Sequence, residues 1–128
     1  WLTAVRDGDS LTGTLTTIDA SHAYWVLTNN SDKIKVDIPG YTGGVAAVPP
    51  AINIVVGWNL IPAVSLTGAT SWDLDIYLAG LTWTKAKSWN AAGETWVEAN
   101  SIVDNNATSM SSGSGYWLYA TKAGTLVP

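Results

Sequence analysis

The feature that most constrains the fold of this chain is a Trp-rich segment that occurs twice. Residues 1–4 (WLTA) match residues 96–99 (WVEA), and residues 23–26 (AYWV) match residues 115–118 (GYWL). Residues 34–39 (IKVDIP) and 125–128 (TLVP) are both apolar runs that end in Pro. Matches in the same order predict a repeat architecture, in which each unit buries its apolar face against a neighbour.

The two copies are unequal in length. The second spans residues 57–128, the first has only a C-terminal half at residues 1–39, and residues 40–56 form a linker and joining strand. Because the chain starts at Trp1 without Met, we expect a processed product or a piece of a longer polypeptide. A partial copy leaves strand edges unpaired and an apolar face uncovered, so we expect a neighbouring segment to complete it.

The residue pattern predicts an all-β fold, an antiparallel sandwich or barrel-like structure with one short helix near residues 72–79. Short runs rich in Thr, Val, Ile and aromatic residues are bounded by Gly, Asn and Pro, as in successive strands. Residues 82–88 and 95–99 flank a hairpin loop at residues 90–94, with Gly93 expected at positive φ. Residues 102–114 are polar and predict a loop. Further strands are predicted at residues 12–18, 23–28, 34–38, 52–56, 116–120 and 125–127.

The helix prediction depends on its ends. Ser71 is a candidate N-cap, Asp73 would lie in the first turn, and Gly80 would stop the helix. Apolar residues also alternate at positions 74, 76 and 78, which keeps a strand open as the alternative.

Charge and composition exclude several classes of partner. The net charge is −4 with six Lys and Arg, so no basic stripe is available for nucleic acid. The uncharged stretch between Asp37 and Asp73 is interrupted by Pro and Gly, which excludes a membrane-spanning helix. With one His and no Cys, the sequence lacks nitrogen and sulfur ligands for zinc, and we expect no metal or cofactor.

No catalytic constellation is expected. Asp19, Ser21 and His22 are the residue types of a hydrolytic triad, but they are nearly contiguous, and we expect them not to converge as a triad. The oxygen-rich residues 7–10 and 104–106 lack the further acidic ligands of a calcium loop and are interpreted as turns.

The hairpin tryptophans carry the binding hypothesis. Exposed indoles on a hairpin would stack on the C–H faces of sugar rings, and neighbouring amide side chains would hydrogen-bond to the sugar hydroxyl groups. Trp83, Trp89 and Asn90 are the candidate carbohydrate-binding residues, since neither indole has a counterpart in the first copy. Core packing is the competing interpretation, and it is favoured for the tryptophans that recur in both copies.

Two further sets of residues are singled out. An assembly strand with Ile52, Ile54, Val56 and Trp58 is the expected joining element between units. Asn29 and Asn106 lie in N-glycosylation sequons within predicted loops.

Residues 57–62 (GWNLIP), the Trp-rich hairpin at 83–96 and residues 115–126 (GYWLY…GTL) resemble β-repeats of large secreted bacterial and archaeal cell-surface proteins of the surface-layer, sheath or adhesin type. The resemblance covers residues 57–128, and residues 1–39 only as a tail. It implies an extracellular, non-catalytic structural or adhesive repeat module whose partners are copies of itself or adjacent repeats. The alternative is a carbohydrate-binding module that uses the hairpin tryptophans.

Overall fold

A computed structural model describes residues 2–19, 21–28, 50–65, 68–101 and 109–128. As expected, the fold is all-β, with antiparallel pairing throughout the described sheets. It is sandwich-like, and no sheet in these ranges closes into a barrel. The elements in chain order are β1 (Ala4–Asp7), β2 (Ser10–Gly13), β3 (Ile52–Ile54), β4 (Gly57–Pro62), β5 (Ser71–Asp73), α1 (Leu74–Tyr77), β6 (Trp83–Asn90), β7 (Thr95–Asn100), β8 (Ser109–Ser111), β9 (Gly115–Ala120) and β10 (Gly124–Leu126).

The largest sheet has four strands in the order β4-β9-β6-β7. Strand β9 lies between β4 and β6; it pairs along its whole length with β4 and over residues 117–120 with β6. Three smaller strand pairs, β1-β2, β3-β10 and β5-β8, accompany it.

The core lies on one face of the four-stranded sheet, which we call the inner face. Tyr116, Leu118 and Ala120 alternate along β9 and are buried, whereas Trp117 and Tyr119 between them are more exposed. Successive side chains of a strand point to opposite faces, so this pattern marks a sheet covered on one side. The inner face packs against α1 and the β3-β10 and β5-β8 pairs in one cluster that includes Ile52, Ile54, Ile61, Leu74, Leu78, Met110 and Leu126.

A buried tyrosine ties α1 to the end of β4. The Tyr77 hydroxyl donates to the Pro62 carbonyl at 2.9 Å and accepts the Val64 backbone N–H at 3.0 Å. Burial raises the pKa of Tyr77 above its ordinary value, so the neutral phenol is the form that makes both bonds. The helix therefore has a fixed position over the inner face.

The helix is shorter than predicted. It spans Leu74–Tyr77, and the proposed cap Ser71 lies instead in β5, whose backbone pairs with β8. Asp73 occupies the N-cap position without a side-chain capping hydrogen bond. Pairing with β8 satisfies the backbone groups that a longer helix would have used. The helix also does not run to the stop predicted at Gly80: it ends at Tyr77 with Leu78 as its C-cap, and Gly80, with a φ of 85°, lies in the turn that follows.

Pairing also corrects two other predictions. Ser109–Ser111, placed by the sequence in a loop, forms β8. The strand predicted at 52–56 is shorter, because β3 ends at Ile54, and its residues alternate between buried and exposed. Both strands depend on a partner that is distant in the sequence, β5 for β8 and β10 for β3.

The long hairpin is confirmed, with one local difference. Strands β6 and β7 pair from Asn90 opposite Thr95 to Lys85 opposite Asn100. The residue with positive φ in the loop is Glu94, at 48°, rather than Gly93. The Asn90 side chain accepts the N–H groups of Ala92 and Gly93, and this closes the turn. The predicted strands at 116–120 and 125–127 are confirmed as β9 and β10 within one residue.

The N-terminal part of the chain has little buried surface. Strands β1 and β2 form a hairpin with a two-residue loop, in which Gly8 adopts a φ of 59°. All eight residues of the two strands are exposed. Residues 15–19 and 23–28 form no strand, although strands were predicted over 12–18 and 23–28. The predicted strand at 34–38 lies outside the described residues.

Candidate functional site

The outer face of the four-stranded sheet concentrates aromatic and charged side chains. Register places the outer-face residues in rows across the strands, one with Trp58, Tyr119 and Lys85 and one with Leu60, Trp117, Lys87 and Glu98. A third row follows two residues further along the strands, where Pro62 pairs with Gly115 and Trp89 pairs with Trp96. The first and third rows are four residues apart, or about 13 Å along the strands. The outer face therefore has two separate ends.

At one end, three indoles form what we call the Trp25 cluster, made of Trp25, Trp89 and Trp96. Trp89 and Trp96 are cross-strand partners whose ring centroids lie 5.2 Å apart at 67°. Trp25 reaches them from the N-terminal part of the chain, with centroids 6.5 Å from Trp89 and 5.8 Å from Trp96. Edge-to-face contacts of this kind stabilise aromatic pairs beyond the area they bury.

The backbone near Trp25 approaches the same row of the sheet. A Cβ atom at Gly115 would lie only 3.2 Å from the Ala23 Cβ atom. Glycine at this position thus admits the N-terminal segment against the outer face. The segment 23–25 crosses the sheet at the row that contains Gly115, Trp89 and Trp96.

At the other end lies the Trp58 platform, which we define as Trp58, Trp117, Tyr119, Lys85, Lys87 and Glu98. The Trp58 ring meets Tyr119 at 5.1 Å and 73°, and Trp117 at 6.5 Å and 88°. Lys87 Nζ stands 6.0 Å from the Trp58 ring centroid, within cation–π range. Trp58 is held on these sides and is still 46% exposed.

The turn before Trp58 is held by an amide. The Asn59 side chain donates to the Val55 and Gly57 carbonyls at 2.8 and 2.9 Å and accepts the Val55 N–H at 3.0 Å. Asn59 neighbours Trp58 in the strand and faces the opposite side of the sheet. These three hydrogen bonds fix the backbone that presents the indole.

The charges of the Trp58 platform form one network. Glu98 lies 2.8 Å from Lys87 Nζ and 3.6 Å from Lys85 Nζ. The Lys87 hydrogen bond is the main cause that lowers the pKa of Glu98 below its ordinary value. Two ammonium groups around one carboxylate leave this part of the sheet with a net charge of +1.

The prediction for Trp83 is wrong. Its side chain is 8% exposed and belongs to the core cluster. Trp83 pairs with Ala120 whereas Lys85 pairs with Tyr119, so β6 contains a bulge between them. The bulge breaks the two-residue alternation and turns Trp83 to the inner face. Its indole is therefore not available to a ligand.

Trp89 and Asn90, the other carbohydrate-binding candidates, are on the surface. Trp89 is 39% exposed, and Trp25 and Trp96 contact its ring. Asn90 uses its side-chain oxygen to close the hairpin turn. The structure does not bring Trp83 together with these two residues.

The assembly-strand candidates divide into two pairs. Ile52 and Ile54 are buried in the core of their own chain and belong to the strand that pairs with β10, so they are not free to join another unit. Val56 and Trp58 are exposed. An interpretation of residues 52–58 as one joining element is therefore wrong for its first half.

Asp19, Ser21 and His22 contact one another but, as expected, without the geometry of a triad. Asp19 Oδ1 lies 2.6 Å from Ser21 Oγ and 2.8 Å from His22 Nδ1, and the last two atoms are 3.0 Å apart. In a triad, serine and aspartate face different imidazole nitrogens, whereas here both contact Nδ1. The exposed carboxylate accepts the Ser21 hydroxyl and backbone N–H, and these bonds together with His22 lower the pKa of Asp19 to about 2. The cluster closes a turn.

The remaining candidates are turns or lie outside the described residues. Asp7 and Ser10 bound the β1–β2 turn, where the Arg6 guanidinium contacts the Gly8 carbonyl and Asp9. Asn29 and Asn106, with the predicted turn at 104–106, are outside the described ranges.

Sequence reasoning missed the Trp58 platform. The alternation of Trp117 with Tyr119 and of Lys85 with Lys87 signals a common face within each strand. No local signal aligns β4 with β9, and that alignment brings Trp58 onto the same face.

Comparison with known proteins assigns no relative. No family model matches this chain, and no curated protein or solved structure is detectably similar to it. Within the described ranges, no helix has the length and apolar character that crossing a membrane requires.

Proposed function

We propose that this chain is a non-catalytic structural or adhesive repeat module of an extracellular or cell-surface assembly. Its units would join by burying apolar and aromatic faces against each other. The main support for the proposal is that residues aligned between the two copies differ in burial.

Apolar positions that are buried in the second copy are exposed in the first. Met110 and Leu118 are both fully buried, whereas the aligned Ile18 and Val26 are 56% and 55% exposed. In the second copy these positions face Ile61, Leu74 and Leu78 within one core cluster. In residues 2–28 the aligned positions have no comparable cover.

Two contacts support the alignment itself. The Tyr24 hydroxyl accepts the N–H of Asp19 and the Tyr116 hydroxyl accepts that of Ser111, in each case five residues upstream. Trp25, aligned with Trp117, packs on Trp89 and Trp96 of the second copy. This contact supports aromatic packing as the means by which one copy associates with the next.

The exposed apolar side chains of the N-terminal part extend beyond these two positions. Leu2, Val5, Leu11 and Leu27 are all more than half exposed. Surface of this kind marks an interaction site when it is contiguous. In the second copy, residues 57–95 form the front half of the repeat. A segment similar to residues 57–95 is therefore the partner that we expect to cover this apolar surface.

The test adds a second copy of residues 57–95 ahead of residue 1 in the full chain. We expect amide hydrogen exchange in β1, β2 and residues 15–28 to slow by about tenfold or more, because covered backbone opens less often. The matched control carries Ile61→Asn and Leu78→Asn in the added segment only. Unchanged exchange in the first fusion, or equal slowing in both, would overturn the proposal.

A further inference from the structure

We propose that the Trp58 platform binds an anionic polysaccharide, with a pyranose ring on the Trp58 indole and its carboxylate or sulfate groups on Lys85 and Lys87. This site lies at the end of the outer face opposite the Trp25 cluster. It does not rest on the assembly role proposed above.

The indole has the properties of a preformed binding surface. Trp58 is almost half exposed, yet Tyr119 and Trp117 contact its ring and Asn59 fixes its backbone. An aromatic ring that is already ordered loses little conformational entropy when a ligand binds. An exposed indole with charged groups near it matches a pyranose, which presents C–H groups on one face and hydroxyls at its rim.

The charges select an anionic ligand. Lys85 and Lys87 lie on neighbouring rows beside the ring, and their shared partner Glu98 neutralises only one of them. The platform is thus locally positive in a chain whose net charge is −4. Carboxylate or sulfate groups would pair with the ammonium that Glu98 leaves uncompensated.

A neutral glycan would use the indole but gain nothing from the lysines. The anionic polysaccharide is the occupant that uses both.

Glu98 acts in this arrangement as an internal competitor for the lysines. Its carboxylate forms an ion pair with Lys87 Nζ at 2.8 Å in the free protein. Removing that charge would free both ammonium groups, so Glu98→Gln is expected to strengthen binding about threefold, the size of a surface ion pair. A site that used Glu98 to accept sugar hydroxyls would be weakened instead.

The experiment measures migration of the full chain in native gels that contain polygalacturonate, heparin or dextran, which separates uronate, sulfate and neutral sugars. We expect retardation by polygalacturonate or heparin and none by dextran, with an effect that weakens as salt is added. Trp58→Ala should weaken binding about tenfold or more, as for the loss of a central aromatic contact, and Lys87→Gln about fivefold.

Matched controls separate this site from other surfaces. Trp96→Ala removes a similarly exposed indole from the Trp25 cluster, and Lys122→Gln removes a lysine outside the platform; neither should change the retardation. Trp58→Tyr keeps a ring at the position should Trp58→Ala not fold. Equal retardation by dextran, or binding that Trp58→Ala, Lys87→Gln and Glu98→Gln leave unchanged, would overturn the proposal.

Discussion

Tyr24 and Tyr116 make the same hydrogen bond in the two segments that the sequence aligns, each accepting the backbone N–H five residues upstream. The distances are 3.1 Å to Asp19 N and 2.8 Å to Ser111 N. Tyr116 is buried as part of the core cluster, whereas Tyr24 is only partly buried. One local motif therefore lies in two environments.

This difference predicts unequal costs for the same substitution. Tyr116→Phe leaves a partly buried N–H unsatisfied and should lower the free energy of unfolding by about 1–3 kcal/mol. Tyr24→Phe should lower it by less than about 1 kcal/mol, because water can replace the lost acceptor. Urea unfolding followed by tryptophan fluorescence measures both. Equal costs would contradict the difference in environment.

Tyr77→Phe should also destabilise the protein, because two buried backbone groups lose the hydroxyl to which both are hydrogen-bonded. The Pro62 carbonyl and the Val64 N–H would both be left unpaired, for a loss of about 1–3 kcal/mol in the free energy of unfolding. The matched control is Tyr119→Phe, which removes a hydroxyl from an exposed tyrosine and should be neutral. A neutral Tyr77→Phe would show that the helix is not anchored through this hydroxyl.

Trp83 and Trp89 lie on one strand and are predicted to differ strongly on truncation. Trp83→Ala removes a core side chain and should cost about 3–5 kcal/mol in the free energy of unfolding. Trp89→Ala loses surface contacts with Trp25 and Trp96 and should cost about 1 kcal/mol. Chemical denaturation of both variants provides the measurement, and similar costs would be inconsistent with the bulge that separates the two indoles.

The Asp19 cluster predicts an acid-sensitive turn. The folded-state pKa is about 2 against an ordinary 3.8, so the stabilisation is complete above pH 3.8 and is lost as the pH falls toward 2. Ser21 contributes the largest lowering, so Ser21→Ala should raise the pKa of Asp19 toward 3.8. Carbon-detected NMR titration of the Asp19 carboxyl group gives both midpoints. A wild-type midpoint near 3.8 would mean that the cluster does not form in solution.

Much of the fold of residues 57–128 could be predicted from sequence because its signals are local. The hairpin of β6 and β7 follows from β-prone runs around a loop with Asn and Gly, and β9 from the alternation of residues 116–120. Short strands such as β5 and β8 escaped prediction because their partners are distant in sequence. Three-residue strands carry too few residues for periodicity to identify them.

The sequence by itself determined the all-β class, the main hairpin and the central strand, since periodicity and turn residues act over a few positions. Tertiary structure decided which tryptophans meet solvent. Trp83 and Trp89 have similar local sequences, but the bulge against β9 turns the first inward and leaves the second outside. The pairing of β4 with β9 likewise places Trp58 beside Tyr119. Burial depends on register between strands far apart in the chain, and no local pattern encodes that register.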